Sequence, residues 1–480
     1  MNYRMLGYLL GIIMLIEAAL LALPAAVALV CREPIYPFLL TMGILVALAF
    51  PLARKKPKDR RIYPKEGFAA VASAWLFMSL LGALPFVFSG AIPSYIDALF
   101  ETASGFTTTG ATILTDIESL PKGILFWRSL THWIGGMGVL VFMLAIMPSE
   151  GGESMHLLRA EVAGPTKDKL VPKMRQSAMI LYGIYVFLTV LETVLLLCTG
   201  MPLFDAVTNA FSTAGTGGFS VKNASIAAYA SPAAEWIIAV FMLLFGVNFN
   251  LYFLILLRRF GKVFRNEELR TYLLLTLGVT AVITLNTVKS AESVGDAVRA
   301  AFFQVTSIFS TTGFATVDYE VWPMLSQSLL WLLLLFGACA GSTTGGLKLS
   351  RVLILVKNNF RELRHMLHPR SVNVVRINGE AIPESTLRSV TNYLAIYLSI
   401  LTASTVLLSI GETPLLTNLT ATMTCLNNVG PGFELIGPSE SFAFFAPLAK
   451  LWLTLVMIVG RLEIMPILII LSPSVWRRRR

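Results

Sequence analysis

The sequence predicts an all-α membrane protein that crosses the bilayer many times. Of its 480 residues, 55% are hydrophobic and 14% are charged, and the mean hydropathy is +0.71. A soluble protein of this length would need far more charge. Apolar runs long enough to cross about 30 Å of hydrocarbon recur along the chain. Four short polar segments, variants of one another, lie between pairs of these runs. We therefore predict four helix–pore-loop–helix repeats, preceded by one extra helix pair.

The predicted spans follow one another in a regular order. The first two, at 5–31 and 37–53, form an N-terminal pair, and the first is too long for a signal peptide. The later pairs are 67–89 with 122–147, 177–200 with 233–257, 270–290 with 325–356, and 386–410 with 446–471. Ten crossings result. The predicted units are residues 1–66, 67–176 (repeat 1), 177–269 (repeat 2), 270–385 (repeat 3) and 386–480 (repeat 4).

Each predicted repeat carries one polar segment that ends in glycine. The four segments span Phe106–Gly110, Phe211–Gly215, Phe309–Gly313 and Leu426–Gly430. A dehydrated cation needs oxygens in place of its water, and backbone carbonyls supply them. Glycine permits the backbone angles that turn carbonyls toward an axis. The predicted filter residues are Thr108, Thr109, Gly110, Thr213, Ala214, Gly215, Thr311, Thr312, Gly313, Asn428, Val429 and Gly430. The alternative is four re-entrant packing loops that bind no ion.

The number of crossings in each repeat favours a pore. Because each repeat crosses the membrane twice, all four share one orientation and can surround one axis in a pseudo-fourfold arrangement. The inverted repeats of many secondary transporters would need an odd number of crossings in each unit. The pattern therefore favours a pore over a rocking carrier.

The distribution of charge predicts the orientation. The net charge of +10 comes from 38 basic and 28 acidic residues. Lys and Arg concentrate on one side of the predicted topology, in the loops 54–66, 159–175, 258–270 and 357–388 and in the tail Arg477–Arg480. The positive-inside rule then places both termini in the cytoplasm, so the excess indicates membrane topology rather than nucleic-acid binding. The loops on the filter side carry the acids Asp97, Glu101, Asp116, Glu118, Glu412, Glu434 and Glu440. These acids either concentrate cations at the pore mouth or cap helices.

A polar stretch interrupts the second span of repeat 3 at membrane depth. It consists of Gly341, Ser342, Thr343, Thr344, Gly345 and Gly346, and such a sequence is a poor helix former. Arg461 lies deep in the last span, where a charge is costly and usually functional. We predict that this loop forms a gate beneath the filter. A passive kink is the alternative for the loop, and a structural ion pair is the alternative for Arg461.

Other reactive residue types give no sign of catalysis or metal binding. The cysteines Cys31, Cys198, Cys339 and Cys425 form no CxxC pair, so neither a disulfide framework nor a zinc site is indicated. No catalytic constellation is visible, so neither an enzyme nor a bound cofactor is expected. His132 and its neighbouring glycines are typical of close helix packing. His365 and His368 lie in a basic segment that contacts either lipid headgroups or a regulator.

Several segments together resemble one known family. They are Thr107–Thr112, Arg128–Gly138, Ala214–Phe219 and Asn428–Phe433. With these segments the chain is similar over nearly its whole length to the Trk/Ktr/HKT potassium-uptake superfamily, and within it to the bacterial Trk membrane subunit. The resemblance implies uptake of K⁺ across the bacterial cytoplasmic (inner) membrane, with K⁺ held at the filter residues and Rb⁺ and Na⁺ as alternative ions. It also implies a homodimer with one pore per protomer, a cytosolic nucleotide-binding regulatory subunit and an intramembrane gate in which Arg461 meets the loop 341–346.

Coupled transport is the alternative function. A symporter would move H⁺ or Na⁺ together with K⁺ and would use acids inside the membrane. Glu17 and Glu192 are the candidates in this sequence. Glycine at all four filter positions implies a preference for K⁺ and larger alkali ions, because some relatives that pass Na⁺ place serine at the first.

Overall fold

The computed structural model describes residues 2–54, 57, 64–138, 174–371 and 373–471. Within these residues the chain is mostly helical. Four predicted features lie wholly or partly outside the described residues. They are most of the basic loop 54–66, the end of the span 122–147, nearly all of the loop 159–175, and the basic tail Arg477–Arg480.

The predicted N-terminal pair is present. Helices α1 (Tyr3–Leu20) and α2 (Ala22–Val30) form one span of 28 residues, and α3 (Tyr36–Ala53) forms the next. Gly11 allows α1 to pack tightly on α3, since an added Cβ would lie 2.9 Å from the backbone nitrogen of Ala53. Close approach of this kind is typical of small residues in membrane helices.

The predicted repeats contain the remaining helices. In repeat 1 these are α4 (Pro64–Gly82), α5 (Leu84–Phe88), α6 (Tyr95–Phe106) and α7 (Lys122–Gly136). Repeat 2 contains α8 (Met174–Cys198), α9 (Leu203–Gly215), α10 (Pro232–Phe245), α11 (Phe249–Leu256) and α12 (Phe260–Phe264). Repeat 3 contains α13 (Glu267–Thr287), α14 (Val294–Phe309), α15 (Met324–Leu334) and α16 (Leu349–Leu367). Repeat 4 contains α17 (Glu384–Leu408), α18 (Leu415–Asn427), α19 (Pro447–Arg461) and α20 (Met465–Leu471).

Four short strands complete the described structure apart from single 3₁₀ turns. Strands β1 (Phe336–Gly337) and β2 (Leu347–Lys348) pair in parallel and bring the two ends of the loop between α15 and α16 together. Strands β3 (Arg376–Ile377) and β4 (Glu380–Ala381) form an antiparallel hairpin between α16 and α17.

The four short helices α6, α9, α14 and α18 lead into the polar segments. Two of them have a serine N-cap: Ser94 accepts from the N–H of Asp97, and Ser293 accepts from the N–H of Asp296. Proline precedes the other two, at Pro202 and Pro414. Asp97, Asp205 and Asp296 lie in first turns, where negative charge stabilises a helix. The C-terminal halves of all four helices are almost completely buried, so each ends inside the protein.

In repeats 2, 3 and 4, whose second spans are described throughout, the second span consists of two helices with a break between them. This corrects the prediction of continuous crossings at 233–257 and 446–471. Helices α10 and α11 meet at 91°, because Asn248 caps a new helix after Gly246. Helices α19 and α20 separate at Glu463 and Ile464, which both have positive φ angles. The break predicted in repeat 3 is present between α15 and α16. Six helices of the described part are long and apolar enough to cross a membrane as single helices, or seven if the bent pair counts as one span.

Apolar side chains occupy both the core and much of the surface. Two large buried clusters lie around the N-terminal helices with repeat 1, which includes Trp75 and Trp127, and around repeats 3 and 4. Many leucines and phenylalanines on α8, α13 and α17 are nevertheless exposed, among them Phe187, Leu274 and Leu285. Exposed apolar faces on long helices are expected where lipid covers them. The chain is a multi-pass membrane protein.

Candidate cation site

Each short helix ends with the same change of backbone conformation. One residue adopts the left-handed conformation: Thr108 (φ 55°), Thr216 (φ 54°), Thr311 (φ 56°) and Asn428 (φ 55°). Two residues later comes a glycine with positive φ: Gly110 (79°), Gly218 (77°), Gly313 (84°) and Gly430 (97°). We name the resulting stretches segment 1 (Thr108–Gly110), segment 2 (Thr216–Gly218), segment 3 (Thr311–Gly313) and segment 4 (Asn428–Gly430).

The middle residue of each segment closes the helix in the same way. Its N–H donates to the carbonyl oxygen five residues earlier, the long bond of a Schellman motif. The four bonds join Thr109 to Ser104 at 2.9 Å, Gly217 to Ser212 at 2.9 Å, Thr312 to Ser307 at 2.8 Å and Val429 to Thr424 at 2.9 Å. Equivalent positions in the four repeats are therefore fixed by backbone geometry.

This geometry corrects the predicted register of segment 2. Thr213, Ala214 and Gly215 belong to the last turn of α9, and the residues that match the other segments are Thr216, Gly217 and Gly218. Gly215 stays helical and packs against α7, where an added Cβ would lie 2.3 Å from the carbonyl oxygen of His132. The predictions for repeats 1, 3 and 4 fall on segments 1, 3 and 4. Comparison with repeat 1 alone favours Gly218, because Gly110 follows Asp97 by 13 residues and Gly218 follows Asp205 by the same interval, whereas Gly313 follows Asp296 by 17.

The four glycines contact one another's segments in a closed cycle. An added Cβ at Gly110 would lie 2.0 Å from the carbonyl oxygen of Gly217 in segment 2. At Gly218 it would lie 2.1 Å from the carbonyl oxygen of Thr312, and at Gly313 it would lie 2.1 Å from that of Val429. At Gly430 it would lie 2.7 Å from the carbonyl oxygen of Thr109, which returns the cycle to segment 1. Any side chain at these positions would displace a neighbouring carbonyl group.

One cavity adjoins all four segments. It has a volume of about 270 Å³, and Gly110, Gly218, Gly313 and Gly430 all line it. Its lining also includes the polar residues Lys222, Asn223 and Glu440. Gly215 is absent from this lining, in agreement with the corrected register.

The left-handed residues carry backbone strain. Threonine is β-branched, and a β-branched residue with positive φ is an outlier that costs of order 1–3 kcal/mol. Three of the four residues are threonine, and all four are completely buried. The surrounding contacts therefore hold each segment in a conformation that it would not adopt alone.

A buried ion pair is hydrogen-bonded to the residues that follow segments 1 and 2. Arg128 of α7 donates to Glu101 of α6 at 2.6 Å, and their side chains are 2% and 0% exposed. Glu101 also accepts from Thr112 and from the N–H of Ile113, just after segment 1. Arg128 donates to the carbonyl oxygen of Ser220, just after segment 2, at 2.9 Å. The pair thus ties together one short helix and the exits of two segments.

His132 occupies the space between the same two segments. Its Nδ1 lies 2.7 Å from the carbonyl oxygen of Gly105, and its ring stacks on Phe219 at 4.0 Å. An added Cβ at Gly217 would lie 2.4 Å from the ring. The packing role predicted for His132 agrees with these contacts.

Most of the acids on the filter side have structural partners. Glu101 is buried with Arg128, Asp97 pairs with Lys450 at 2.7 Å, and Glu118 pairs with Lys222 at 3.0 Å. Glu434 caps α18 by accepting from the N–H and hydroxyl of Thr417. Hydrogen bonds lower the pKa of Asp116, through Asn223, and that of Glu118, through Lys222. The helix-capping alternative therefore applies to Glu434, while Glu440 lines the cavity.

The loop 341–346 contacts residues from all four repeats, directly or through Arg461. Arg461 of repeat 4 donates to the carbonyl oxygen of Thr343 at 2.7 Å. The same guanidinium donates to the carbonyl oxygens of Gly135 and Gly136 in repeat 1, at 2.5 and 2.9 Å. The hydroxyl of Thr343 donates to the carbonyl oxygen of Phe245 in repeat 2 at 3.3 Å. Arg461 therefore bridges the loop and the end of α7 by donating to backbone carbonyls of both.

A further cluster of charged residues around the loop was not predicted from the sequence. Glu268 accepts from the N–H groups of Ala340 and Ser350, on either side of the loop, at 2.8 and 2.9 Å. Lys348 donates to the carbonyl oxygen and hydroxyl of Thr344, and Arg351 pairs with Glu463. Lys348, Arg351 and Glu463 lie within the predicted spans 325–356 and 446–471, and charge inside a span is the signal that the sequence offered.

Comparison with known proteins identifies the family. A sequence model of the TrkH family, described as a cation transport protein, matches residues 40–478. The chain belongs to the TrkH family of cation transport proteins. Membership in the TrkH family confirms the resemblance noted in the sequence, and it confirms that the chain is a transport protein and not an enzyme.

Relatives within the TrkH family match over their full length. The Trk system potassium uptake protein TrkH of Salmonella typhimurium is 37% identical, over 99% of this chain and 100% of the relative. The Escherichia coli protein of the same name is 36% identical over the same shares. The crystal structure of the potassium transporter TrkH from Vibrio parahaemolyticus superposes with a TM-score of 0.89 at 32% identity, over 99% of this chain and 100% of that one.

Proposed function

We propose that the chain takes up K⁺ across the bacterial cytoplasmic membrane through one channel-like pore that its four repeats surround. The observation that carries the proposal is the closed cycle of glycine–carbonyl contacts around a single cavity. A cycle of this kind encloses an axis and leaves carbonyl groups in equivalent positions around it. The names of the full-length relatives support K⁺ as the ion.

The proposed filter consists of segments 1 to 4. Backbone carbonyls replace the water of the ion, and the glycines allow the carbonyls to approach one another without side-chain interference. The C-terminal ends of α6, α9, α14 and α18 meet at the segments, and the partial negative charge of a helix C-terminus favours a cation there. The pseudo-fourfold arrangement of the repeats follows from this reading, with segment 2 in the corrected register.

The proposed gate is the loop 341–346 together with Arg461. Together the loop and Arg461 contact residues of all four repeats, as expected of an obstruction on their common axis. The guanidinium carries a fixed positive charge, which opposes cation passage more strongly where the local dielectric is low. The glycines of the loop allow it to move aside while the packed helices keep their structure.

Single-channel recording tests the channel proposal. The purified protein would be reconstituted in a planar bilayer with asymmetric KCl. We expect ohmic currents that reverse at the K⁺ equilibrium potential. Flux with a fixed coupling stoichiometry, and no unitary current, would contradict the proposal.

Coupled transport is a second candidate because two carboxyl groups are buried inside the membrane. Glu17 and Glu192 are 1% and 0% exposed, and their oxygens have no hydrogen-bond partner among the described residues. Neither residue lines the described cavity, which favours the channel. Glutamine at either position should leave K⁺ flux independent of an imposed pH gradient if coupling runs through these groups. A wild-type flux that ignores the gradient would exclude H⁺ coupling.

The orientation proposed for the chain has both termini and the β3–β4 hairpin in the cytoplasm and the cavity outside. Two exposed positions on opposite sides test this orientation after Cys31 and Cys198 are replaced by serine. Ser439→Cys should react with an impermeant maleimide in intact cells, and Glu380→Cys should react only after permeabilisation. The reverse pattern would contradict the orientation.

The proposed partners are a second copy of the chain, membrane lipid and a cytosolic nucleotide-binding regulator; nucleic acid is not among them. Exposed basic residues at the end of α16, including Arg364 and His365, face the proposed cytoplasmic side beside the β3–β4 hairpin. Copurification with a soluble nucleotide-binding ring is expected. A conductance that responds to nucleotide in the isolated chain would contradict a separate regulator.

A further inference from the structure

The loop 341–346 is hydrogen-bonded to a filter segment. The N–H of Gly345 donates to Oγ1 of Thr311 at 2.8 Å, and both groups are buried. Thr311 is the left-handed residue of segment 3. Its hydroxyl therefore joins the strained start of segment 3 to the loop that lies against it.

Gly345 also lies against segment 4 and leaves no space for a side chain. An added Cβ would lie 2.3 Å from the carbonyl oxygen of Asn427 and 2.8 Å from Cβ of Asn428. The loop thus touches the beginnings of two adjacent segments, one through a hydrogen bond and one through backbone contact.

The rest of the loop fixes the direction of the Gly345 N–H group. Strands β1 and β2 hold the two ends of the loop together, and an added Cβ at Gly337 would lie 2.1 Å from the carbonyl oxygen of Gly345. The hydroxyls of Ser342 and Thr344 lie 2.8 Å apart, and Lys348 donates to Thr344. Since these contacts lie on both sides of Gly345, a displacement of the loop away from the segments breaks the bond to Thr311.

The equivalent residues of segments 1 and 2 lack such a bond. Oγ1 of Thr108 is buried and has no hydrogen-bond partner among the described residues. Oγ1 of Thr216 donates to the carbonyl oxygen of Gly215, within its own helix end. Thr108 therefore provides a matched position for comparison, with the same backbone conformation and no contact to the loop through its hydroxyl.

We propose that Thr311 is a positioning residue that latches the loop 341–346 to segments 3 and 4. While the loop is in place, the hydroxyl of Thr311 satisfies the buried N–H of Gly345, which would otherwise lack a partner. The inference rests on the proposed function only where ion flux is the readout. It adds that the loop and the filter are mechanically connected, so a movement of the loop changes the surroundings of segment 3.

Amide hydrogen exchange tests the latch without relying on transport. The protein is reconstituted in lipid nanodiscs, and exchange is followed by mass spectrometry in peptides that cover the loop. Thr311→Ala and Thr311→Ser form a matched pair, because they differ only in the hydroxyl oxygen. Thr108→Ala and Thr108→Ser form the control pair at the matched position.

The expected result is a difference confined to position 311. Loss of one buried hydrogen bond corresponds to about a tenfold increase in exchange of the Gly345 amide in Thr311→Ala relative to Thr311→Ser. The control pair at position 108 should differ by less than about twofold, because its hydroxyl has no bond to the loop. Equal exchange in Thr311→Ala and Thr311→Ser would overturn the latch. Thr311→Val, which keeps the volume and lacks the hydroxyl, replaces the alanine variant if that variant does not fold.

Resting Rb⁺ flux into liposomes separates this inference from the proposed gate. If the loop obstructs the pore, Thr311→Ala should show a higher resting flux than Thr311→Ser. Faster exchange with equal flux would support the latch and reject the gate. Equal exchange would reject the latch whatever the flux.

Discussion

At the scale of single residues, the strictest requirement falls on the glycines that end the four segments. A serine at Gly110 would place Cβ 2.0 Å from the carbonyl oxygen of Gly217, so that carbonyl must move. We expect Gly110→Ser to lower the K⁺/Na⁺ permeability ratio about tenfold, which corresponds to about 1.4 kcal/mol of relative binding. Reversal potentials under bi-ionic conditions measure the ratio. Gly278→Ser on α13, where an added Cβ has nothing within 4 Å, is the control. An unchanged ratio in Gly110→Ser would remove Gly110 from the filter.

The two candidate glycines of repeat 2 provide a test of the register. Gly218 lines the cavity, whereas Gly215 packs against His132 behind it. Gly218→Ala should change the permeability ratio in the same direction as Gly110→Ser. Gly215→Ala should lower the yield of folded protein, since its Cβ would lie 2.3 Å from a backbone carbonyl. Measurement of both ratios on folded protein decides the register, and a change confined to Gly215→Ala would restore the original prediction.

The sequence located three of the four segments but misplaced the second by three residues. The cause is that Thr213-Ala214-Gly215 resembles the other segments in composition, while the residue that actually leaves the helix is Thr216. The composition of a segment does not show where its helix ends when a residue distant in sequence packs against that helix end. Here that residue is His132 on α7.

At the scale of elements, the loop 341–346 and α19 act through one set of contacts. Arg461→Ala removes donors to Thr343, Gly135 and Gly136, and deletion of the loop removes Thr343 itself. Each change should raise resting Rb⁺ flux at least about threefold, and the double variant should be no higher than the larger single, because residues in one contact network are non-additive. Lys450→Ala, at the opposite end of the same helix, is the control for loss of a positive charge. Wild-type resting flux in both single variants would leave the loop as a structural kink.

The helix breaks show what the sequence could and could not indicate about elements. In repeat 3 the Gly- and Thr-rich stretch predicted the helix break, because few of its residues favour a helix. The break between α19 and α20 had no such signal. It occurs at Glu463 and Ile464, and an isoleucine with a φ of 66° contradicts local preference. Tertiary contacts, including the pair between Glu463 and Arg351, hold it there.

At the scale of the whole molecule, the charged outer mouth predicts a pH dependence. Hydrogen bonds lower the pKa values of Asp116 and Glu118 below their ordinary 3.8 and 4.5, so both groups stay charged as pH falls from 8 to 5. The attraction of cations to the mouth is then lost only as pH falls through the lowered values. As far as these two groups control it, Rb⁺ influx should therefore be constant between pH 8 and pH 5 and should decrease only at a pH below their ordinary pKa values.

Lys222→Met provides the matched variant for this pH profile. It removes the hydrogen bond that lowers the pKa of Glu118, so that pKa rises toward 4.5 and the decrease in influx begins at a higher pH. Superimposable profiles for the wild type and Lys222→Met would show that the mouth acids do not control influx.

The closed cycle of segments also has a consequence for how the molecule is made. Segment 4 completes it through the bond between Asn428 and Thr109, two residues 319 positions apart. Segment 1 is therefore translated long before segment 4, which is one of its two neighbours in the cycle. A nascent chain can insert its helices in order, but the cycle proposed as the ion site stays incomplete until nearly all of the chain has been translated. On this proposal, premature termination within repeat 4 would give an inserted protein without a complete ion pathway.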